Sequence, residues 1–219
     1  NDKPRENSEN ISTALSKGFL FLKDKSGVLF LGITTIMSDV AIWGALSVLT
    51  ITMSKEIFNK GSWGYGLMDG MYGFGALIST IVVAIITKKF GRRKSLIWCY
   101  SIAGLCCFIS PFSPTIYIAG IAYLLMGLHN NSARIIVRTL FMEIIPNNIM
   151  GRVQTIFGVY TRVMMLTSVL IAGWVTENLN PHIGMNFASA HYLIALIGII
   201  VISKFSNFRK EIFKVKNHA

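Results

Sequence analysis

Six stretches of the chain run with almost no charge, at roughly 27–53, 65–87, 95–111, 114–141, 152–175 and 184–204. A helix needs about 20 predominantly apolar residues to cross the hydrocarbon core of a bilayer, and each stretch meets or approaches that length. Only 14% of the residues are charged and 53% are hydrophobic, where a soluble domain carries about 25% charge to cover its surface. Lipid must therefore replace water around much of the chain. Hydrocarbon offers no partner to an open backbone group, so spans of this length have to be helical. The expected fold is all-α and polytopic, with six transmembrane helices. Pro111 and Pro114 bound the turn between the third and fourth stretches, and so short a connection makes those helices antiparallel neighbours.

The remaining charge is basic, 21 Lys and Arg against 10 Asp and Glu. These cations sit in short clusters between apolar runs rather than on one continuous face, which suits an anionic leaflet and argues against nucleic acid as a partner. Counted by side, they fix an orientation. One side holds Lys3, Arg5, Lys17, Lys23 and Lys25, then five in 88–94, then Arg138 and Arg152, then five from Lys204 onward. The other side holds Lys55 and Lys60. Positive loops stay inside, so both termini are expected in the cytoplasm. Residues 1–26 read as a cytoplasmic linker, 27–205 as the six-helix bundle and 206–219 as a basic cytoplasmic tail. Within the linker, Ile11, Ala14, Leu15, Gly18, Phe19 and Leu22 recur at helical spacing, and lysines flank the stripe. Residues 11–22 are too short to span and are expected to form an amphipathic helix at the interface. Residues 1–10 are expected to be disordered. No cleavable signal is visible, and a portion upstream of Asn1 is expected.

The tightest local signal is Lys88-Lys89-Phe90-Gly91-Arg92-Arg93-Lys94, a basic turn in which Gly91 permits a sharp reversal. It resembles the signature loop of the major facilitator superfamily, with Lys88 where the family usually has Asp. The resemblance extends to Gly64, Gly66, Gly70, Gly73 and Gly75 along the second stretch. It includes the Gly151-Arg152-Val153 opening of the fifth stretch and its continuation to Leu170-Ile171-Ala172-Gly173. In these features the chain looks most similar to the enterobactin-exporter and macrolide-efflux branches. The resemblance implies the C-terminal six-helix half of such a transporter, built of two three-helix inverted repeats. It also implies an N-terminal six-helix half, upstream or on a partner. The first, second, fourth and fifth helices of a half would line a cavity, and the third and sixth would be peripheral. The implied setting is a bacterial cytoplasmic membrane. The implied function is proton-coupled export of a siderophore- or drug-like small molecule, with import of a small metabolite as the alternative. A six-helix channel or scaffold subunit is a weaker reading, because no pore-lining ring or re-entrant filter appears.

Charge inside the membrane costs about 2.5–3.5 kcal/mol per residue on insertion scales, so each instance needs a reason. Asp39 lies halfway along the first stretch and Arg162 near halfway along the fifth. Those two helices run in the same direction, which places the residues at one depth and suggests a coupled pair. The alternative is a structural ion pair of Asp39 with Arg162 or Arg134. His129 is near mid-depth on the fourth helix, where Asn130 and Arg134 share a face. Asp39, His129, Arg134 and Arg162 are thus the candidates for substrate and proton contact. Lys88, Lys89, Gly91, Arg92 and Arg93 form the cytoplasmic loop. Glu143 could pair with Arg138 or Arg152. Cys99, Cys106 and Cys107 fall in one apolar run without metal-ligand spacing and read as small buried hydrophobes. No zinc, nucleophile-elbow or phosphate-loop motif is present, so neither a cofactor, a metal nor an enzymatic role is expected. The orientation predicts that a cysteine introduced in the 88–94 loop is shielded from an impermeant thiol reagent added outside. One at Ser113 should react, and the reverse pattern would invert the topology.

Overall fold

The structure, a computed structural model, describes residues 11–213, with side chains from Ser16 onward. The expectations for residues 1–10 and 214–219 lie outside the described residues. A short helix, α1 (Ile11–Asp24), precedes α2 (Ser26–Ile57), whose regular winding is interrupted by π-helical turns at Ala41–Ala45 and Met53–Ile57. The run Gly61–Ile109 is two helices, because Gly91 breaks it with φ 75° and ψ 154°. Residues 61–90 form α3 and residues 92–109 form α4. The apolar stretch Gly61–Phe112 has 52 residues, about 78 Å if straight, more than twice the ~30 Å of a bilayer core. A reversal is required, and Gly91 adopts backbone angles that a Cβ would strain. The Ser95 hydroxyl closes the break, bonding the Gly91 carbonyl at 2.9 Å.

Helix α5 (Ile116–Ile144) begins where the Thr115 hydroxyl accepts the Ile118 N–H at 3.4 Å. Helix α6 (Asn147–Asn178) follows Pro146. Helix α7 (Pro181–Lys204) starts with Pro181 in its first turn and an Asn180 carboxamide accepting the His182 N–H at 2.8 Å, the chemistry helix starts favour. Among the described residues, four stretches are long and apolar enough to cross a membrane: Ser26–Ile57, Gly61–Phe112, Asn147–Asn178 and Pro181–Lys204. Helix α5 is outside that set because the polar run His129-Asn130-Asn131 interrupts its apolar sequence, with Arg134, Arg138 and Glu143 following.

A core of Leu31, Leu49, Met68, Leu96, Tyr100, Met126, Tyr192 and Ile199, each under 2% exposed, runs through the bundle. Helices α3 and α5 approach backbone to backbone. A Cβ at Gly75 would run into the Leu124 carbonyl, and one at Gly127 into the Tyr72 carbonyl. Such reciprocal small residues let dispersion forces act between main chains where lipid supplies no hydrophobic drive. Helices α4 and α7 are one-sided. Trp98, Leu105, Leu193 and Ile197 face outward while Tyr100, Ala103, Tyr192 and Ile199 face the core. All three cysteines are buried and free.

Part of the expected tail is helix α8 (Ser206–Phe213). It folds back on the start of α2, whose Lys25 offers no side-chain cap. There the Glu211 carboxylate accepts the Val28 N–H at 3.2 Å, and the Phe208 and Phe30 rings stack at 6.0 Å. A carboxylate at a helix start meets both an open donor and the positive end of the dipole.

The α3–α5 contact yields a test. Gly75→Ala and Gly127→Ala should each cost about 1–3 kcal/mol, as overpacking does, and lower the thermal denaturation temperature in detergent. Gly173→Ala, where nothing lies within 4 Å of the added carbon, should leave it unchanged.

Candidate functional site

Polar residues recur at spacings of three, four, eight or eleven, whole turns of a helix, on the inner faces of otherwise apolar helices: Thr35, Asp39 and Thr50 on α2, Asp69 and Tyr72 on α3, Tyr123, Asn131, Arg134 and Arg138 on α5. The structure gathers them around two cavities. The first, about 220 Å³, is lined by Thr35, Asp39, Tyr100, Arg138, Gln154 and Thr161 among others. The second, about 390 Å³, is lined by Trp43, Thr50, Asp69, Tyr72, Tyr123 and Asn131 among others. Among the described residues, the linings come from α2, α3, α5 and α6, with Tyr100 of α4 the one addition. Arg134 belongs to both linings and stands between the cavities.

Asp39 sits at the end of the regular first segment of α2, just before the π-turn at Ala41–Ala45. The extra residue in that turn rotates the remainder of the helix, so Asp39 faces the smaller cavity while Ile42 and Trp43 face the larger one. Interruptions of this kind are frequent at functional sites. Arg134 Nε lies 3.5 Å from Asp39 Oδ1, with the side chains 42% and 25% exposed. The same Oδ1 is enclosed and has no hydrogen-bond partner. The carboxylate is therefore held by the field of the guanidinium and not by an aligned bond.

Arg162 is not part of this arrangement, which corrects the coupling expected from equal depth. Depth along a helix does not set azimuth. Gln154, Gly158 and Thr161 form the cavity-facing stripe of α6, and Arg162, one residue further round, is exposed beside Gly158. His129 is half-buried, and its Nδ1 lies 2.8 Å from the Leu125 carbonyl within its own helix; it lines neither cavity. The buried His191, which the sequence did not single out, contacts Ser168 at 3.2 Å across the α6–α7 interface.

The loop holds a second ion pair. Arg92 grips Glu143 at the end of α5 with two contacts, 2.5 and 2.7 Å. The fork geometry matches a carboxylate, and this replaces the expected Glu143 partners, Arg138 and Arg152. Gly91 makes the reversal that aims Arg92 at α5. Lys88 and Lys89 are exposed, with Lys89 Nζ 5.3 Å from the Phe90 ring centre, and Arg93 is half-buried. Among the described residues no cluster of His, Cys, Asp and Glu could hold a metal ion.

The sequence reading missed Tyr72, Tyr123 and Gln154. Their signal was present as a polar stripe at helical period within apolar runs. Charge alone drew attention to Asp39 and the arginines.

A family model described as the Major Facilitator Superfamily matches residues 28–211. The chain belongs to the major facilitator superfamily. It is a multi-pass membrane protein of a family that transports small molecules, not a family of enzymes. A D-xylose transporter of Levilactobacillus brevis is 26% identical over 158 residues, which cover 72% of this chain and 32% of that protein. The match thus spans about a third of the relative's length. Within this superfamily member, Asp39→Asn and Arg134→Gln should each destabilise the fold. Their double variant should depart from additivity by about 0.5–3 kcal/mol, as contacting residues do. Arg162→Gln should add to Asp39→Asn without coupling, measured by thermal denaturation in detergent.

Proposed function

We propose that this chain is the C-terminal six-helix half of a secondary transporter, with α2 to α7 as its spans and both termini in the cytoplasm of a bacterial cell. Helices α3 and α4 would be separate spans joined at Gly91, and α5 a span whose polar residues face the cavities instead of lipid. The two inverted repeats would be α2–α4 and α5–α7. An N-terminal half, from the same chain or a partner, would complete the transport path. Two observations support that partner. The relative is about three times as long as the aligned stretch. The α3 face carrying Gly66, Gly70 and Gly73 is open, with nothing within 4 Å of a carbon added at any of them; spaced glycines are where membrane helices approach closely.

Helix α1 would lie on the inner leaflet. Leu22 is buried at 1% while Phe19 and Leu20, at 62% and 57% exposed, flank the chain's own packing with Lys17 and Lys23 nearby. That pattern suits an interfacial helix against anionic lipid.

The observation that carries the reading is Arg134, shared by two cavities and paired with Asp39. Alternating access requires a midplane site that communicates with each side in turn. A carboxylate held only by a long ion pair can lose that partner when the halves rock, and can then exchange a proton with water. Transport is therefore coupled to protons through Asp39, in the direction of export that the branch resemblance implies. A second reading, uptake of a small polar metabolite, is favoured by the D-xylose transporter among its relatives and by the hydroxyl-rich larger cavity.

The complete transporter, reconstituted in vesicles with an imposed pH gradient, should move its solute uphill. Asp39→Asn should abolish uphill movement and retain exchange down a gradient. Uphill transport surviving that substitution would remove Asp39 from coupling, and the orientation of vesicles that accumulate solute would decide between export and uptake.

A further inference from the structure

Resting on the transporter reading, the larger cavity also specifies the chemistry of its occupant. At about 390 Å³ it falls within the range of small-molecule sites. Its hydrogen-bonding capacity can be counted residue by residue. Ser79 donates its hydroxyl proton to the Ala76 carbonyl at 2.6 Å, so its oxygen accepts from Asn131 Nδ2, also at 2.6 Å. The second Asn131 N–H reaches the Ala76 carbonyl at 3.2 Å. Both amide protons are used, and Asn131 Oδ1 is left as an acceptor with a fixed orientation.

Thr50 donates to the Leu46 carbonyl at 2.8 Å, so in the 3.0 Å contact between Thr50 and Tyr123 the tyrosine is the donor. The Tyr123 oxygen keeps its lone pairs. Tyr72 accepts from Asn130 Nδ2 at 3.0 Å and retains its own proton for donation. Arg134 contributes further donors, and Asp69 a carboxylate. The lining thus alternates donors and acceptors. Its one guanidinium is already paired with Asp39 outside this lining, so the groups left free to meet a ligand are mostly neutral hydroxyl and amide groups. Trp43, 58% exposed, adds a broad apolar ring at the edge.

We infer that this cavity is a half-site for an uncharged, polyhydroxylated ring molecule of sugar or cyclitol type. Each hydroxyl of such a ligand both donates and accepts, which matches the mixed lining, and the ring's C–H face covers Trp43. A lipophilic cation or an aromatic carboxylate would leave Tyr72, Asn131 or Tyr123 desolvated and unpaired. A site built to hydrogen-bond hydroxyls rejects ligands that lack them.

The test uses the complete transporter in detergent, titrated with D-xylose, D-glucose and myo-inositol as neutral polyols, tetraphenylphosphonium as the cation and benzoate as the anion. At least one polyol should bind and the two ions should not compete with it. Asn131→Ala and Trp43→Leu should each weaken polyol binding by about 10-fold or more. Because Asn131 also braces α3, Trp43→Leu at the rim keeps the test valid if Asn131→Ala fails to fold. Absence of binding by all three polyols, binding of either ion in their place, or polyol affinity unchanged in both variants would overturn the assignment. Counterflow in vesicles separates this from the transporter reading. Translocation of the cation without polyol binding sinks the ligand class alone. Polyol binding with no translocation supports the site and sinks the transporter.

Discussion

Inside hydrocarbon there is no water to take up an unpaired polar group, and that constraint shapes the backbone and most side-chain hydroxyls of the bundle. Backbone groups are closed within helices, and side-chain hydroxyls are turned back onto the same ladders. Thr34, Thr35, Thr50, Ser132 and Ser203 each bond a carbonyl four residues earlier, at 2.7 to 2.8 Å. This lets α2 and α5 carry many polar residues and still pack against apolar neighbours. Groups that cannot be closed locally, Asp39 and Arg134 above all, are brought to one another. Their meeting point is where the two cavities adjoin.

Packing in such a bundle depends on shape, because lipid tails are as apolar as the side chains they touch. Gly75 and Gly127 bring α3 and α5 together, and the ion pair between Arg92 and Glu143 ties the start of α4 to the end of α5 at the basic loop. With α3 pinned to α5, the face of α2 beyond its π-turn is left opposite Tyr72 and Tyr123, and the larger cavity opens between them. The cap that Glu211 supplies to α2 extends the same economy to the ends of the bundle: a helix start without a capping residue of its own takes one from the far end of the chain.

How far the site was legible can be argued from single residues. Asp39 and Arg134 were visible because a charge in an apolar run is costly wherever it points. Their pairing stood only as one alternative, since equal depth favoured Arg162, and only the rotation of α6 turns Arg162 away from the cavity. Tyr72 and Tyr123 escaped notice because tyrosine is tolerated on many helix faces. Their significance lies in the bonds already spent and those left over, which requires coordinates. Arg92 and Glu143 lie 51 residues apart, with no periodicity to connect them.

By itself the sequence determined the class: long uncharged runs admit only helices in lipid, and Gly91 marks the reversal that a 52-residue apolar stretch must make. These are one-dimensional properties of length, apolarity and local backbone freedom. The tertiary structure decided which charges meet, which hydroxyls remain free and where the π-turn aims Trp43. Those depend on the azimuth of each helix about its own axis, which is set by packing against neighbours distant in the chain.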